Sequence, residues 1–243
     1  MNLPLRERLL KAASLVGDES DFTAFGDSER CENKVVVADV GCDHAYLSIY
    51  LIKEGICDLA IASDLREGPI QAAKENVIRF GCEEKIVTVK TDGLHGLETY
   101  SPTDVVICGM GGETITEILN EAPWIKKQGT RLILQPQSGA AELYIYLSSC
   151  GFHLVKERYA YDQGKPYRIF KLIYDGVSRF PSLEEALIGR LYEEEDRNSF
   201  LLYLSKIAGT VEKKMISARA LNPKNNELDL LLGSIRDTIR SHS

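Results

Sequence analysis

Acidic and glycine residues lie close together in the segment ADVGCDHAYL (38–47), directly after a run of β-branched residues. Gly41 allows the backbone to turn tightly and approach a ligand, and a helix starting after it would present unpaired N–H groups. Asp43 and Ala45 stand where a dinucleotide-binding loop normally has glycines, and a carboxylate there would repel a pyrophosphate. The pattern favours a ligand with cationic groups over NAD, although a turn without a ligand also explains it.

Further acidic residues follow the next two strand patterns. Asp64 ends the run CDLAIASD, and Asp92-Gly93 follows KIVTVK. In an open α/β sheet ligands bind where the carboxyl ends of the strands meet, and a carboxylate after the second strand can accept both ribose hydroxyls. A polar residue after the third strand can face an adenine. Each position alone is also typical of an ordinary turn, but the three acidic sites in register indicate S-adenosylmethionine, which is cationic at its sulfur and amino groups.

The fourth and fifth strand patterns end in residues that suit the same cleft. Gly109-Met110-Gly111-Gly112 allows substrate and cofactor to approach the backbone closely. An N/D-P-P-Y/F motif, common at this place in methyltransferases of exocyclic amines, is missing, which argues against methylation of the adenine amino group. Gln135-Pro136-Gln137 offers amide groups, and His44 could bind a ligand, act as a base or hydrogen-bond locally.

Strand and helix patterns alternate over most of the chain and predict how these residues are positioned. Continuous apolar runs of the kind that parallel sheets bury predict strands at 34–40, 57–64, 85–93, 103–109 and 130–137. Helical patterns follow each of the first two, the fourth and the fifth. The segment 152–176 contains two β-rich runs around DQGKP and predicts an antiparallel hairpin. This order predicts a Rossmann-like, seven-stranded sheet of the class I methyltransferase type, with one reversed strand.

Helical patterns also lie at both ends of the chain. The first covers residues 1–16, and a polar, acidic loop is expected at 18–33. Residues 181–221 are predicted to be helical throughout, with Leu183, Leu187 and Leu191 spaced by four, and a further helix is expected after Pro223. We therefore predict two domains, a methyltransferase domain at 1–176 and a helical domain at 177–243.

Composition limits the remaining classes. The 243 residues include 29 Lys and Arg against 36 Asp and Glu, a net charge of −7, which argues against coating of nucleic acid by bulk charge. A run of about 18 apolar residues, as a membrane span needs, is missing, and the N-terminus lacks the apolar stretch of an export signal. Six widely spaced cysteines without a C-x-x-C pair predict a reduced, cytoplasmic protein without a zinc site.

Six segments, taken together and in order, resemble the bacterial tRNA (adenine-22-N1)-methyltransferase family, TrmK: ADVGCDHAYL, SDLREGP, TDGL, CGMGGETI, LILQPQ and KPYRIF. The resemblance extends from the N-terminal helix to about Tyr174, and the helical tail matches in kind. It implies methyl transfer from S-adenosylmethionine to N1 of an adenine in the D-arm region of tRNA, and a coiled-coil-like C-terminal domain that helps to hold the tRNA. The chain departs from the family in the long segment 18–33 and in Cys42, where Ser is frequent.

On this basis we hypothesise that Asp43 is the catalytic residue, which either positions the adenine N6 amine or handles a proton. The residues assigned to S-adenosylmethionine lie in and around the loops after the first four strands: Asp39, Gly41, Cys42, His44, Asp64, Leu65, Asp92, Gly93, Gly109, Met110 and Gly111. Those assigned to the tRNA are Gln135, Pro136, Tyr167, Arg6, Arg8 and Lys11.

The acidic balance and a tRNA partner are compatible if the RNA is recognised locally and by shape. The N-terminal cations would act with basic residues of the tail, namely Lys206, Lys213 and Lys214. We expect a monomer without a metal. Four alternatives remain open from the residues alone: a methyltransferase of a small molecule, one of another RNA, a nicotinamide oxidoreductase, and a non-catalytic tRNA-binding protein.

Overall fold

The computed structural model describes residues 3–17, 34–189, 193–221 and 227–243. The predicted loop 18–33, Cys31 within it, Leu191 and Pro223 lie outside these residues. Within the described ranges, helices of both the length and the apolar character needed to cross a membrane are absent.

A single seven-stranded sheet forms the centre of the molecule, in the order β3-β2-β1-β4-β5-β7-β6. Its strands are Val36–Val40 (β1), Leu59–Asp64 (β2), Ile86–Lys90 (β3), Asp104–Met110 (β4), Arg131–Pro136 (β5), Phe152–Asp162 (β6) and Lys165–Tyr174 (β7). The first five strands are parallel, and β7 runs antiparallel to both β5 and β6. The predicted Rossmann-like sheet with a reversed strand is confirmed.

Eight α-helices are described around and after this sheet. They are Glu7–Ala13 (α1), Tyr46–Lys53 (α2), Glu67–Arg79 (α3), Gly112–Asn120 (α4), Ala140–Ser149 (α5), Leu183–Ile188 (α6), Arg197–Leu221 (α7) and Glu227–His242 (α8). The first helix is shorter than the predicted 1–16, because the backbone at Arg6 is extended (φ −80°, ψ 155°) and serves as the N-cap.

Helices cover both faces of the sheet, which explains why the strand patterns are continuously apolar. Successive strand residues point to opposite faces, so that Val37 packs with α1, α2 and α3 while Ala38 packs with α4 and α5. All five residues of β1 are buried. Its last residues therefore hold the loop that follows them on a rigid base.

The hairpin β6–β7 extends past the other strands at the carboxyl edge of the sheet. Pairing of β7 with β5 ends at Phe170 opposite Leu134, whereas β6 and β7 stay paired as far as Asp162 opposite Lys165. The tail packs on this projecting part, where Tyr159 contacts the rings of Phe200 and Tyr203 at centroid distances of 5.0 and 5.4 Å. The helical tail therefore lies near the edge at which the predicted site residues meet.

The prediction of uninterrupted helix over 181–221 is wrong. A capping box between Ser182 and Glu185 starts α6, but the helix ends at Ile188 and Gly189 has φ 72°. A side chain is excluded there, since a Cβ on Gly189 would lie 2.3 Å from the Tyr159 hydroxyl oxygen. The tail must turn at this glycine to pass the hairpin, and α7 begins only after a short 3₁₀ turn at residues 194–196.

Candidate active site at the carboxyl edge of the sheet

The loop between β1 and α2 has an unusual concentration of left-handed backbone. Gly41, Asp43 and Ala45 have φ values of 73°, 50° and 56°. For Asp and Ala this conformation costs about 1–2 kcal/mol each, so the surroundings must hold it. The N–H groups of Gly41 and Cys42 donate to the carbonyl oxygen of Ser63 at 2.8 and 2.9 Å, which ties the loop to the end of β2. The loop is thus fixed in a tight curl over the ends of β1 and β2.

Asp43 is the accessible carboxylate of this loop, with 68% of its side chain exposed. Its Oδ2 lies 3.7 Å from Nε2 of His44. The half-exposed His44 ring stacks on Tyr46 at 5.6 Å, and its carbonyl accepts a hydrogen bond from Asn76 Nδ2 at 3.1 Å. The backbone carbonyl of His44, rather than its ring, therefore forms the local hydrogen bond. The side chains of Asp43 and His44 are both exposed to solvent.

Asp39 lies beneath the same loop and is buried. Its Oδ2 accepts a hydrogen bond from the Ser48 hydroxyl at 2.7 Å. Burial raises the pKa of the Asp39 carboxyl to about 6, against which the hydrogen bonds from Ser48 act. A cation placed beside it would lower this pKa again and stabilise the ionised form, so Asp39 is suited to receive a positively charged ligand group. Burial also raises the pKa of the Cys42 thiol, which leaves that residue to act through its backbone.

Asp64 and Asp92 stand at the ends of β2 and β3, as the sequence predicts. Asp64 is buried, and its Oδ1 accepts a hydrogen bond from the backbone N–H of Arg66 at 2.9 Å. The neighbouring Leu65 is 59% exposed, which leaves an apolar surface beside the carboxylate. Asp92 is exposed, and its carbonyl accepts from the N–H of His95 at 3.2 Å. These positions offer one buried and one exposed carboxylate on the side where β2 and β3 end.

Glycines bring the backbones around the cleft close together. A Cβ on Gly41 would lie 2.3 Å from Cε of Met110, and Gly109 has φ 83°. Gly93, with φ 53°, lies against Ile118. At Gly112 a Cβ would lie 2.6 Å from the carbonyl oxygen of Gly139. The contact between Gly112 and Gly139 holds the start of α4, whose N-cap is Gly111, against the loop after β5. Gly112 was not among the residues assigned from the sequence.

Arg8 of α1 reaches the other end of the cleft. Its Nη1 donates to Oε1 of the fully buried Gln135 at 2.7 Å, and its Nε lies 3.6 Å from Oδ2 of Asp162. The guanidinium also packs against Gly109, because a Cβ there would lie 3.4 Å from Nη1. Gln135 in turn donates from Nε2 to the carbonyl oxygen of the buried Pro136 at 3.1 Å. Asp162, in the DQGKP segment, is the member of this cluster that sequence reasoning missed.

The other residues assigned to the tRNA lie apart from this cluster. Arg6 donates to Oε1 of Gln163 in the hairpin turn at 2.5 Å, and Tyr167 lies half-buried in β7 opposite Ala160. Lys11 is held by an ion pair with the buried Asp196, which points it toward the tail and away from the cleft. Among the described residues, clusters of three or more side chains suited to hold a metal ion are absent.

The tail lysines are exposed, and one of them lies close to the hairpin turn. Burial and the charge of Lys165 lower the pKa of Lys206 on α7. Lys213 and Lys214 lie exposed farther along the same helix. The region beyond the cleft therefore combines cations from the hairpin turn and from α7.

The residues present fit S-adenosylmethionine. Gly41 and Gly109 form a glycine cradle near the ends of β1 and β4, in which the side chains of Met110 and Arg8 lie directly against the backbone. Asp64 offers a carboxylate for ribose hydroxyls, and Asp39 offers one for a cationic group. A pyrophosphate would instead meet the exposed Asp43 carboxylate, which disfavours a dinucleotide.

Comparisons with known proteins found related methyltransferases. The family model for the methyltransferase domain, Methyltransf_18, matches residues 28–170. The tRNA (adenine(22)-N(1))-methyltransferase of Bacillus subtilis is 32% identical over 182 residues, which are 72% of this chain and 75% of the relative. The solved structure of Streptococcus pneumoniae Sp1610 in complex with S-adenosyl-L-methionine is 30% identical, with a TM-score of 0.74, and covers 97% of this chain and 98% of that one.

The fold is shared further. The structure of M. capricolum TrmK in complex with S-adenosyl-homocysteine superimposes with a TM-score of 0.73 at 24% identity, over 98% of this chain and 99% of that one. The match thus includes the tail as well as the sheet. On the identity to the Bacillus subtilis enzyme and the match to the methyltransferase domain, the chain belongs to the tRNA (adenine(22)-N(1))-methyltransferase family.

Proposed function

We propose that this chain transfers a methyl group from S-adenosylmethionine to N1 of adenine 22 in tRNA, with Asp43 as the catalytic residue. One observation carries the assignment of roles: the exposed Asp43 and the buried Asp39 lie above and below one strained loop, beside a glycine cradle. The cradle suits the methyl donor and the exposed carboxylate suits the acceptor. The family membership supports the choice of adenine 22.

The donor is held by the loops after β1 to β4. S-adenosylmethionine supplies, when bound, an electrophilic methyl group on a cationic sulfur. Asp64 accepts the ribose hydroxyls, Asp92 and Gly93 face the adenine, and Asp39 stabilises the cationic amino acid end from beneath the loop. The remaining contacts come from residues that line the cradle: Gly41, Cys42, His44, Leu65, Gly109, Met110 and Gly111.

Asp43 acts on the adenine. The N1 lone pair lies in the ring plane and is free, so attack needs no prior loss of a proton. Formation of the N1–carbon bond, with cleavage of the methyl–sulfur bond, would move the positive charge from the sulfur to the base, where the N6 amine shares it. A carboxylate that accepts a hydrogen bond from this amine interacts more strongly with the transition state than with the neutral base. Asp43 therefore orients the extruded adenine and stabilises its developing charge.

The tRNA is held at the projecting hairpin and along the tail. Arg8, backed by the buried Gln135 and Pro136, lies at the acceptor end of the cleft, Arg6 extends this basic edge, and Tyr167 contributes from the hairpin. We propose that residues 1–176 carry the chemistry and residues 177–243 grip the RNA through Lys206, Lys213 and Lys214. With a net charge of −7 the contacts are local, and binding weakens as salt rises. The protein acts as a monomer in the cytoplasm.

Tritiated methyl transfer to unmodified tRNA tests the proposal. We expect label in 1-methyladenosine at position 22, and none in a transcript in which adenine 22 is replaced by guanine. Label in N6-methyladenosine, at another nucleotide or only in small molecules would contradict it. Calorimetry with S-adenosylmethionine and with NAD separates the methyltransferase from an oxidoreductase, since only the first should bind.

The buried Asp39 gives a pH-dependent prediction. Its pKa in the folded protein, about 6, is raised above the ordinary value of 3.8, so its contribution to stability is complete below pH 3.8 and is lost as pH rises through 6. Asp39→Asn removes this dependence. We expect the unfolding free energy of the variant minus that of the wild type to increase by about 3 kcal/mol between pH 4 and pH 8, at roughly 1.4 kcal/mol per pKa unit.

The same variant should bind S-adenosylmethionine at least about tenfold more weakly at pH 8, because a charge–charge contact is lost. Urea titrations at several pH values and calorimetry measure the two effects. An unfolding free energy that changes with pH equally in both proteins would show that Asp39 does not titrate as proposed.

A further inference from the structure

One short helix contacts both the cleft and the tail. Arg8 and Lys11 lie one turn apart on α1. Arg8 reaches Gln135 in the cleft, whereas Lys11 pairs with Asp196 in the 3₁₀ turn that precedes α7. The helix has only seven residues, too few to be stable by itself, so its position depends on what it contacts.

Asp196 is the centre of the contacts at the tail end. It is 1% exposed, and its Oδ2 accepts hydrogen bonds from Arg158 Nε at 2.7 Å and from the backbone N–H of Tyr159 at 3.0 Å. Its Oδ1 pairs with Lys11. Arg158 also donates from Nη1 to the hydroxyl of Ser14, the C-cap residue of α1, at 3.2 Å. One buried carboxylate thus joins the tail, β6 and α1.

Both apolar and polar contacts hold α1 in place. The helix buries Ala12 and Ala13 against the sheet, and Leu15 and Val16, which follow it, are buried as well. An ion pair that is largely withdrawn from water is sensitive to displacement of either partner. The Lys11–Asp196 contact therefore restrains the face of α1 that also carries Arg8.

We infer that Asp196 is a positioning residue for the acceptor side of the cleft, acting through Lys11 and α1 on Arg8. The inference rests on the proposed function, in which Arg8 holds the tRNA at the acceptor end of the cleft. Displacement of a guanidinium by about 1 Å is enough to impair the alignment of a bound substrate. Packing of the tail against α1 thereby helps to place Arg8 at the acceptor end of the cleft.

A mutant cycle between Asp196 and Arg8 tests this. With S-adenosylmethionine saturating, Asp196→Asn and Lys11→Met should each lower kcat/KM for tRNA by about tenfold, while the Kd of S-adenosylmethionine changes by less than about twofold. Lys11→Arg, which keeps the charge, should recover most of the loss seen with Lys11→Met. In an Arg8→Ala background, Asp196→Asn should lower kcat/KM by less than about twofold further, because the residue through which it acts is gone.

Glu194→Gln is the matched control, since this carboxylate belongs to the same turn but is 76% exposed and pairs with Arg197. It should leave kcat/KM unchanged. Equal losses from Asp196→Asn with and without Arg8 would overturn the inference, as would an equal rise in the Kd of S-adenosylmethionine.

If Asp196→Asn unfolds below the assay temperature, the Lys11 variants and their cycle with Arg8→Ala decide the question. If the wild-type protein methylates tRNA but the effects of the two mutations are additive, the inference alone is refuted. If the wild-type protein does not methylate tRNA, both the proposed function and the inference are refuted.

Discussion

Asp43→Asn is expected to lower kcat for tRNA methylation by about 10²-fold or more, while the Kd of S-adenosylmethionine rises by less than about fivefold. In the proposed mechanism the carboxylate stabilises charge that develops on the adenine, so its loss affects the transition state more than the bound donor. The amide keeps the size of the side chain and can still accept a hydrogen bond from the N6 amine, but without the negative charge. Single-turnover methylation and calorimetry measure the two quantities.

The choice of asparagine matters because Asp43 has φ 50°. Asparagine tolerates this left-handed backbone, whereas alanine would add strain of about 1 kcal/mol and confuse a catalytic loss with a structural one. Glu54→Gln is the matched control, an exposed carboxylate at the opposite end of α2. Near-normal kcat in Asp43→Asn would show that the charge is not used. An equally large rise in the Kd of S-adenosylmethionine would move Asp43 from the acceptor to the donor.

Glu157→Gln is expected to lower the unfolding free energy by about 3–5 kcal/mol, the largest stability loss that we expect from a single polar substitution here. Glu157 is fully buried in β6 and forms an ion pair with Arg168 of β7, which is 1% exposed. Burial alone lowers the pKa of Arg168, but the Glu157 carboxylate more than compensates and raises it above its usual value. Neutralising Glu157 would leave a buried guanidinium without its counter-charge.

The packing around Arg168 prevents the guanidinium from reaching water. It lies over the ring of Phe170, with 4.6 Å between Cζ and the ring centroid, and its Nη1 donates to the carbonyl oxygen of Ala186 in α6. Urea unfolding should therefore show a large shift for Glu157→Gln. Glu212→Gln, which breaks the half-exposed pair with Arg236, should cost less than about 1 kcal/mol. Comparable losses in the two variants would mean that the buried pair is solvated or replaced on mutation.

The sheet and the proposed cofactor side of the site could be predicted from the sequence because both depend on local signals. A run such as VVVADV places apolar residues on both faces of a strand, which is typical of strands covered on both sides. All residues of β1 are buried, as this pattern predicts. Asp39, Gly41 and Asp43 are neighbours in the chain, so one strand–loop–helix unit brings them together. Asp64 is the last residue of β2 and Asp92 follows β3, and the carboxyl ends of these adjacent parallel strands meet at one edge of the sheet.

The acceptor side could not be predicted in the same way, because it depends on contacts between distant parts of the chain. Arg8 and Gln135 are 127 residues apart, and nothing in either segment specifies the other. Asp162 and Asp196 look like ordinary surface residues in the sequence, yet one pairs with Arg8 and the other is buried beneath Lys11. The break at Gly189 arises from the Tyr159 hydroxyl, which no helical pattern contains.

The position of Tyr159 has a consequence for recombining this enzyme with its relatives. Its ring belongs to β6, but it lies in the apolar cluster that the tail helices form around Phe200 and Leu204. A chimera that exchanges only residues 177–243 would join one parent's hairpin to another parent's helices across that cluster. A crossover just before β6 would instead take the hairpin and the tail from the same parent and keep their contacts intact. The hairpin and the tail are therefore expected to diverge together among relatives, at a different pace from the loop that carries Asp43.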